Sequence, residues 1–199
     1  MPETTPQRRG RPPGTSARDL ELVALRLFTQ RGYDHTTVED IADDAGVSRR
    51  TFFRYFDTKA DVLWHSFDDE VDALRDALAA TTPDMSIMEA IRAAVVSVNH
   101  YTATDIPELR TRIQLISTVP ALQASAANHY DAWEHAVIDH AAQRLGRTTH
   151  DLLPLAIGRA TLAVCRAAYE HWVNQADADL TTYLDTALRD LADGFARTA

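Results

Sequence analysis

Four polar residues in a row, Ser48, Arg49, Arg50 and Thr51, run into the aromatic stretch Phe52-Phe53-Arg54-Tyr55-Phe56, with Lys59 just beyond. An arginine guanidinium presents paired N–H donors that match the two acceptors on the major-groove edge of guanine, and threonine can meet a thymine methyl or a phosphate. At the start of a helix capped by Ser48, Arg49, Arg50 and Thr51 stand where base edges would be met. Phe52 and Phe56 are four apart and share a face, so they are expected in a core. Phe53 and Tyr55 lie off that line and remain for sugar, methyl or phosphate contact, while Arg54 and Lys59 suit phosphate positioning. A second basic cluster, Arg8-Arg9-Gly10-Arg11-Pro12, has the make-up of an arm that inserts arginine into a narrow A·T-rich minor groove. Each cluster has a plainer rival reading: a solvated corner of a helical protein for the first, a solubilising tail for the second. Taken together they favour double-stranded DNA as a partner.

Such side chains need two short helices and a tight turn to hold them. Thr37 reads as the N-cap of a helix with Val38, Ile41, Ala42 and Ala45 inward, Gly46 makes the turn, and Ser48 caps the second helix. Thr37 and Ser48, at the two helix starts, are counted with the DNA-contacting set. Ahead of them, Ser16 and Asp19 form a capping box for a first helix with Leu20, Val23, Leu27 and Phe28 on one face, and Gly32 is expected to end it in the left-handed conformation. Residues 1–15 show no periodicity and are expected to form a disordered basic arm. Residues 16–62 are expected to form a helix-turn-helix domain and residues 63–199 a larger helical one.

In the larger domain, Lys59-Ala60-Asp61 should open a long helix with Leu63, Phe67, Val71, Leu74 and Leu78 on one stripe. Ser86 and Glu89 make a capping box before a helix over 87–101. A short helix follows around 107–118. Pro120 opens another, with Leu122, Ala126, Tyr130, Trp133, Val137 and Ala141 in line, stopped at Gly146. Asp151 starts a helix reaching about Asn174. The last runs from Asp179 to about Ala196 with Leu184, Leu188, Leu191 and Phe195 on one face. No useful segment alternates with period two. The fold class is therefore all-α, with about nine helices: three short ones and then a bundle.

For a small-molecule pocket the candidates are Tyr101, Arg110, Arg112, Gln114, Tyr130, Trp133, Arg159 and Arg166, although aromatics at helical spacing serve a core as readily. The stretch 152–172 is apolar nearly all round, which predicts burial on all sides. With the stripe of the last helix it suggests a four-helix bundle between two copies. Its interface would hold Leu162, Cys165, Tyr169, Trp172, Leu184, Leu188, Leu191 and Phe195. The alternative is a central helix in a monomer's core.

Overall charge is −9, yet residues 1–60 hold ten basic and nine acidic side chains while residues 61–199 hold ten and twenty. Local basic patches matter more for phosphate binding than the total. A lone cysteine, Cys165, rules out an internal disulfide framework and multi-cysteine metal sites, and reads as a buried small hydrophobe in preference to a redox sensor. No apolar run approaches the ~20 residues that cross a bilayer, and the N-terminus is polar, so a cytoplasmic protein with no membrane partner is expected. Glycine-rich phosphate loops, nucleophile elbows and zinc motifs are missing, and none of the eight glutamates has a histidine three residues on, as di-iron bundles require. His135 and His140 are five apart and share no tight face. No enzyme, metal or cofactor is expected.

The residues 18–64 resemble the DNA-binding domain of TetR-family regulators. The matching runs are Ala24-Leu25-Arg26-Leu27-Phe28, Arg31-Gly32-Tyr33, Thr36-Thr37-Val38, Ile41-Ala42, Ala45-Gly46-Val47-Ser48, Thr51-Phe52-Phe53-Arg54-Tyr55-Phe56 and Lys59. The resemblance implies an all-α homodimer that represses from a palindromic operator, a recognition helix over Arg49–Tyr55 and a phosphate-binding lysine at Lys59. Phe53 stands where many members have tyrosine, which removes a hydroxyl that often reaches phosphate. Further on, the runs from Arg110 through Arg112 to Pro120, from Tyr130 to Trp133, and from Ala168 to Trp172 are similar to mycofactocin-system regulators. That likeness implies a long-chain acyl-CoA ligand, its chain in an apolar tunnel and its phosphate or thioester end near Arg110 and Arg112. The reading is a ligand-responsive transcriptional repressor. The alternative is a helical enzyme or interaction module without specific DNA binding.

Overall fold

The computed structural model describes residues 15–175 and 179–194. Among them are nine α-helices, one 3-10 helix and no strand. The chain divides into two compact units, Met1–Val62 and Leu63–Ala199.

The first unit holds α1 (Ala17–Arg31), α2 (Val38–Asp44) and α3 (Arg49–Phe52). Local chemistry sets each start. Ser16 and Asp19 exchange backbone and side-chain bonds in a full capping box, and Thr37 and Asp40 do the same for α2. Ser48 accepts from the Thr51 N–H to start α3. Leu20, Ala24, Leu27 and Phe28 of α1 are buried, as are Ile41, Ala42, Phe52 and Phe56, with α1 packed on α2 and α2 on α3. Two expectations need correction. Gly32 has φ 86° but ψ 152°, so it ends α1 with a positive φ and an extended ψ, outside the left-handed helical region. The helix after Ser48 is one turn long, and turns carry the chain on through Tyr55.

In the second unit the helices are α4 (Phe67–Ala79), α5 (Ile87–Val98), α6 (Ile106–Thr118), α7 (Pro120–Leu145), α8 (Leu152–Gln175) and α9 (Leu180–Ala192). The long helix expected from Lys59 onward is in fact two pieces, a 3-10 helix over Ala60–Trp64 and then α4. Ser66 at the break makes no side-chain cap bond, and its hydroxyl donates to Glu70 instead. Ser86 and Glu89 form the capping box expected of them, and Gly146 ends α7 in the left-handed conformation. The core joins Val71, Leu74 and Leu78 of α4, Ile91 and Val95 of α5, Val137 of α7, Trp172 of α8, and Leu184 and Leu188 of α9.

α8 corrects a third expectation. It is not buried all round: Pro154, Gly158, Thr161, Cys165, Ala168 and Trp172 point inward, while Leu152 is 84% and Leu153 46% exposed. Its 24 residues pass a length-and-composition test for crossing a bilayer, as core helices packed inside a protein also do. Here it packs against α7 and α9.

Candidate nucleic-acid interface and candidate ligand cavity

At the start of α3 the basic side chains are differently engaged. Arg49 pairs with Glu39 of α2 at 2.7 Å and lies over the Phe53 ring at 5.3 Å. Arg54 stacks on Tyr55 at 4.8 Å and donates to its hydroxyl, and that hydroxyl in turn donates to the Thr15 carbonyl. Arg50 is exposed and has no ion pair among the described residues. Ser48 and Thr51 share a hydroxyl contact at 2.9 Å, and the Thr37 hydroxyl donates to Asp40 at 2.6 Å. Phe53 and Tyr55 are 42% and 38% exposed, whereas Phe52 and Phe56 are buried, which is the division their spacing predicts. Arg8, Arg9 and Arg11 lie outside the described residues.

Lys59 is more than a surface cation. Its ammonium donates to the Tyr33 and Thr36 carbonyls at 2.7 and 2.9 Å and sits 3.8 Å from the Tyr33 ring centre. Burial pushes its pKa below the usual lysine value. Two of its three donors therefore hold the α1–α2 connection in place.

The second unit holds a partly open cavity of about 230 Å³. Of the residues singled out from sequence, Tyr101, Arg112, Tyr130, Trp133 and Arg166 line it. Arg110, Gln114 and Arg159 do not. Leu109, Arg112, Ile113 and Ile116 turn one face of α6 toward the cavity, so Arg110 and Gln114, four apart, lie on another. Arg110 instead covers the Trp172 ring at 4.5 Å, and Arg159 pairs with Glu134 at 3.4 Å.

Lining residues that sequence reasoning missed come from α4 to α8 and from the 3-10 turn. Trp64 and Phe67 meet edge to face at 5.2 Å, and Trp64 stacks on His129 at 4.4 Å. Tyr130 closes this aromatic group and carries the Arg166 guanidinium over its ring at 5.2 Å. A polar group lies in the same lining. Arg112 bonds Glu108 at 3.1 Å and has Glu70 at 3.8 Å. The Tyr169 hydroxyl donates to Asn99, and Tyr101 is hydrogen-bonded to Tyr169. Burial pushes the Tyr101 phenol up to about 12 and the Tyr169 phenol upward as well, with the Glu70 carboxylate adding to both. Asn99 and Trp64 carried no signal in sequence, and Glu70 sits in the acidic cluster of Asp68, Asp69, Glu70 and Asp72, which reads as a solvated face.

Several residues assigned to a subunit interface have other positions. Leu162, Cys165 and Tyr169 line the cavity. Trp172, Leu184 and Leu188 are spent in the chain's own core at 1%, 0% and 0% exposure, so they have no surface to offer a second copy. Leu191 is half-buried, and Phe195 lies outside the described residues. Burial alone lifts the Cys165 thiol to about 12, the behaviour of a packed hydrophobe and not of a reactive thiolate.

Comparison with known proteins bears on both units. Residues 22–64 match the family model for bacterial regulatory proteins of the tetR family, and residues 85–196 match the MftR C-terminal domain. A protein of Mycobacterium tuberculosis named as mycofactocin biosynthesis transcriptional regulator MftR is 31% identical over 188 residues, covering 94% of this chain and 95% of its own length. The HTH-type transcriptional regulator TcmR of Streptomyces glaucescens is 30% identical, over 88% of this chain and 85% of its own. Among solved structures, the fatty acid degradation regulator FadR from Bacillus halodurans superposes with a TM-score of 0.66 at 16% identity, covering 94% of this chain and all (100%) of its own. FadR of Thermus thermophilus, a TetR-family repressor solved with lauroyl-CoA, gives 0.59 at 22% identity over 92% of this chain and 97% of its own. These relatives are regulators, and the two structures share the all-α fold. With both halves matched, the chain belongs to the TetR family of DNA-binding transcriptional regulators and carries the MftR type of C-terminal domain.

Proposed function

We propose that the protein is a ligand-responsive repressor that binds a palindromic operator as a homodimer in the cytoplasm and lets go when an amphiphilic ligand of the long-chain acyl-CoA class enters the second unit. The observation that carries this is the cavity itself: a partly open space of about 230 Å³ between helices, mostly apolar and aromatic, with a few placed polar groups. That is the usual form of a small-molecule site. The Thermus relative with lauroyl-CoA supports the ligand class. Arg49, Arg50, Thr51 and Tyr55 are the proposed readers, with Thr37, Ser48, Phe53, Arg54 and Lys59 around them on the backbone and Arg8, Arg9 and Arg11 as a minor-groove arm.

A two-fold partner supplies the second half-site that a single small reading head lacks. The proposed partner face differs from the one expected in sequence. On α8, Leu153, Ala156, Ala163 and Ala167 are exposed, and with the half-buried Ala160 they repeat at spacings of three and four. Such a stripe of small side chains lets two helices approach closely.

Fluorescence anisotropy with the DNA upstream of the protein's own gene tests this reading. An inverted repeat should bind at least about 10³-fold more tightly than random DNA, with a strong salt dependence. Lauroyl-CoA, and not coenzyme A alone, should release it. Equal affinity for operator and random DNA would sink the reading.

A further inference from the structure

An indole donor of a residue lining the cavity is unspent. Trp64 is 6% exposed, and its Nε1 is shut from solvent with no hydrogen-bond partner among the described residues. An indole N–H can donate but not accept, and a buried donor left unpaired carries its full desolvation cost. The ring is held by the near-parallel stack on His129, at 4.4 Å and 12°, and by edge contacts with Phe67 at 5.2 Å and Tyr130 at 5.6 Å. Among the other polar side chains of the lining, Arg112 pairs with Glu108 and the Tyr169 hydroxyl donates to Asn99.

We infer that the cavity takes an apolar chain bearing an uncharged oxygen acceptor, a carbonyl or a hydroxyl, and that Trp64 Nε1 donates to that oxygen. The inference rests on the reading of this cavity as the ligand chamber. An ionised carboxylate is the wrong acceptor, because the lining already contains Glu70 and Glu170 and one indole N–H does not offset the desolvation of a charge. Arg112 is held by Glu108, and Arg166 lies over the Tyr130 ring.

The bond has a consequence for regulation. Trp64 is the last residue of the 3-10 helix Ala60–Trp64, by which the chain leaves the first unit. Just before that helix, Lys59 is bonded to carbonyls of the first unit. A ligand bonded to Trp64 fixes the far end of this connector.

Calorimetry on the full chain, with lauroyl-CoA, its thioether analogue S-dodecyl-CoA and 1-dodecanol as probes, tests the assignment. The wild-type protein should bind lauroyl-CoA about tenfold more tightly than the thioether, which keeps the chain and loses the carbonyl. That arm needs no variant. Trp64→Phe should bind both coenzyme A probes alike, bind 1-dodecanol about tenfold more weakly than wild type, and release operator less completely even when saturated. A Trp64→Phe protein that still prefers lauroyl-CoA would overturn the inference and leave the chamber standing. Wild-type affinity for all three probes in Ile113→Trp, which fills the cavity, would overturn the chamber itself. No binding of any probe to the wild type would overturn both.

Discussion

Arg49 and Arg50 are neighbours in sequence, but their surroundings differ. The Arg49 guanidinium is already paired with Glu39 at 2.7 Å, and both side chains are more than half exposed, so the pair itself adds little stability. Its effect falls on recognition. To reach a base or a phosphate, Arg49 must exchange Glu39 for the DNA, and the Glu39 carboxylate disfavours phosphates near it. Glu39→Gln should therefore tighten binding to random DNA by about 0.2–1 kcal/mol and narrow the gap between operator and random sequence. Arg50 has no such partner among the described residues, so Arg50→Ala should remove about 1–3 kcal/mol of operator preference if it reads a base. Anisotropy titrations on operator and random duplexes at two salt concentrations separate the two effects. Unchanged random-DNA affinity in Glu39→Gln would remove Glu39 from the argument, and equal losses on both duplexes would make Arg50 a phosphate contact. Lys59 marks the limit of residue-by-residue reading: a lysine at the expected position is bonded to the Tyr33 and Thr36 carbonyls, which no linear pattern announces.

Helix starts are written locally, and they could be read. Ser16 with Asp19, Ser86 with Glu89, and the caps at Thr37 and Ser48 need only residues within one turn of each other. Helix faces depend on what packs where, and here the reading failed in instructive ways. The stripe from Leu63 to Leu78 continues through the break at Ser66, because a 3-10 turn followed by a helix preserves an apolar rhythm that one long helix would also give. On α6, Arg110 and Arg112 are equally plausible by composition, and only the rotation of the helix puts Arg112 in the cavity and Arg110 over Trp172. α8 looked apolar all round because alanine, glycine and cysteine count as apolar wherever they stand. Its inner face uses that smallness. A Cβ at Gly158 would come within 2.4 Å of Ile138 Cγ1 and 3.2 Å of the Glu134 carbonyl of α7. Ile138 is 1% exposed and has no room to retreat. Gly158→Ala gains helix propensity and loses more to overpacking, so a net destabilisation of about 1–3 kcal/mol is expected. Urea denaturation followed by circular dichroism checks it, and a stabilised variant would show that α7 and α8 can part without cost.

At the scale of the whole molecule, the uneven charge leaves basic residues concentrated in the first unit and acid in the second, which is how a chain of net charge −9 can bind DNA. The buried phenols and thiol of the second unit set its alkaline limit. Tyr101 is raised from 10.0 to about 12 and Cys165 from 9.0 to about 12, and Tyr169 is raised too. Groups held protonated in the fold and released in the unfolded chain give stability that is whole below the unfolded values and is lost as pH climbs through the folded ones. The unfolding free energy from urea titration should hold to about pH 9 and fall steeply from 10 to 12, by about 2–3 kcal/mol for Tyr101 alone. A flat profile over that range would mean that these groups are solvated. The proposed dimer calls for a different surface. With Trp172, Leu184 and Leu188 committed to the chain's own core, a second copy has the exposed run through Leu153, Ala156, Ala163 and Ala167 of α8 to pack against. Alanines there permit close helix approach, and one long charged side chain at the centre of the stripe prevents it. Ala163→Arg should therefore sediment as a monomer with an unchanged helical spectrum, because the position is exposed within the chain. Operator binding should weaken toward that of a single half-site, while lauroyl-CoA affinity stays near wild type, since residue 163 does not line the cavity. A dimeric Ala163→Arg protein with full operator affinity would move the interface elsewhere.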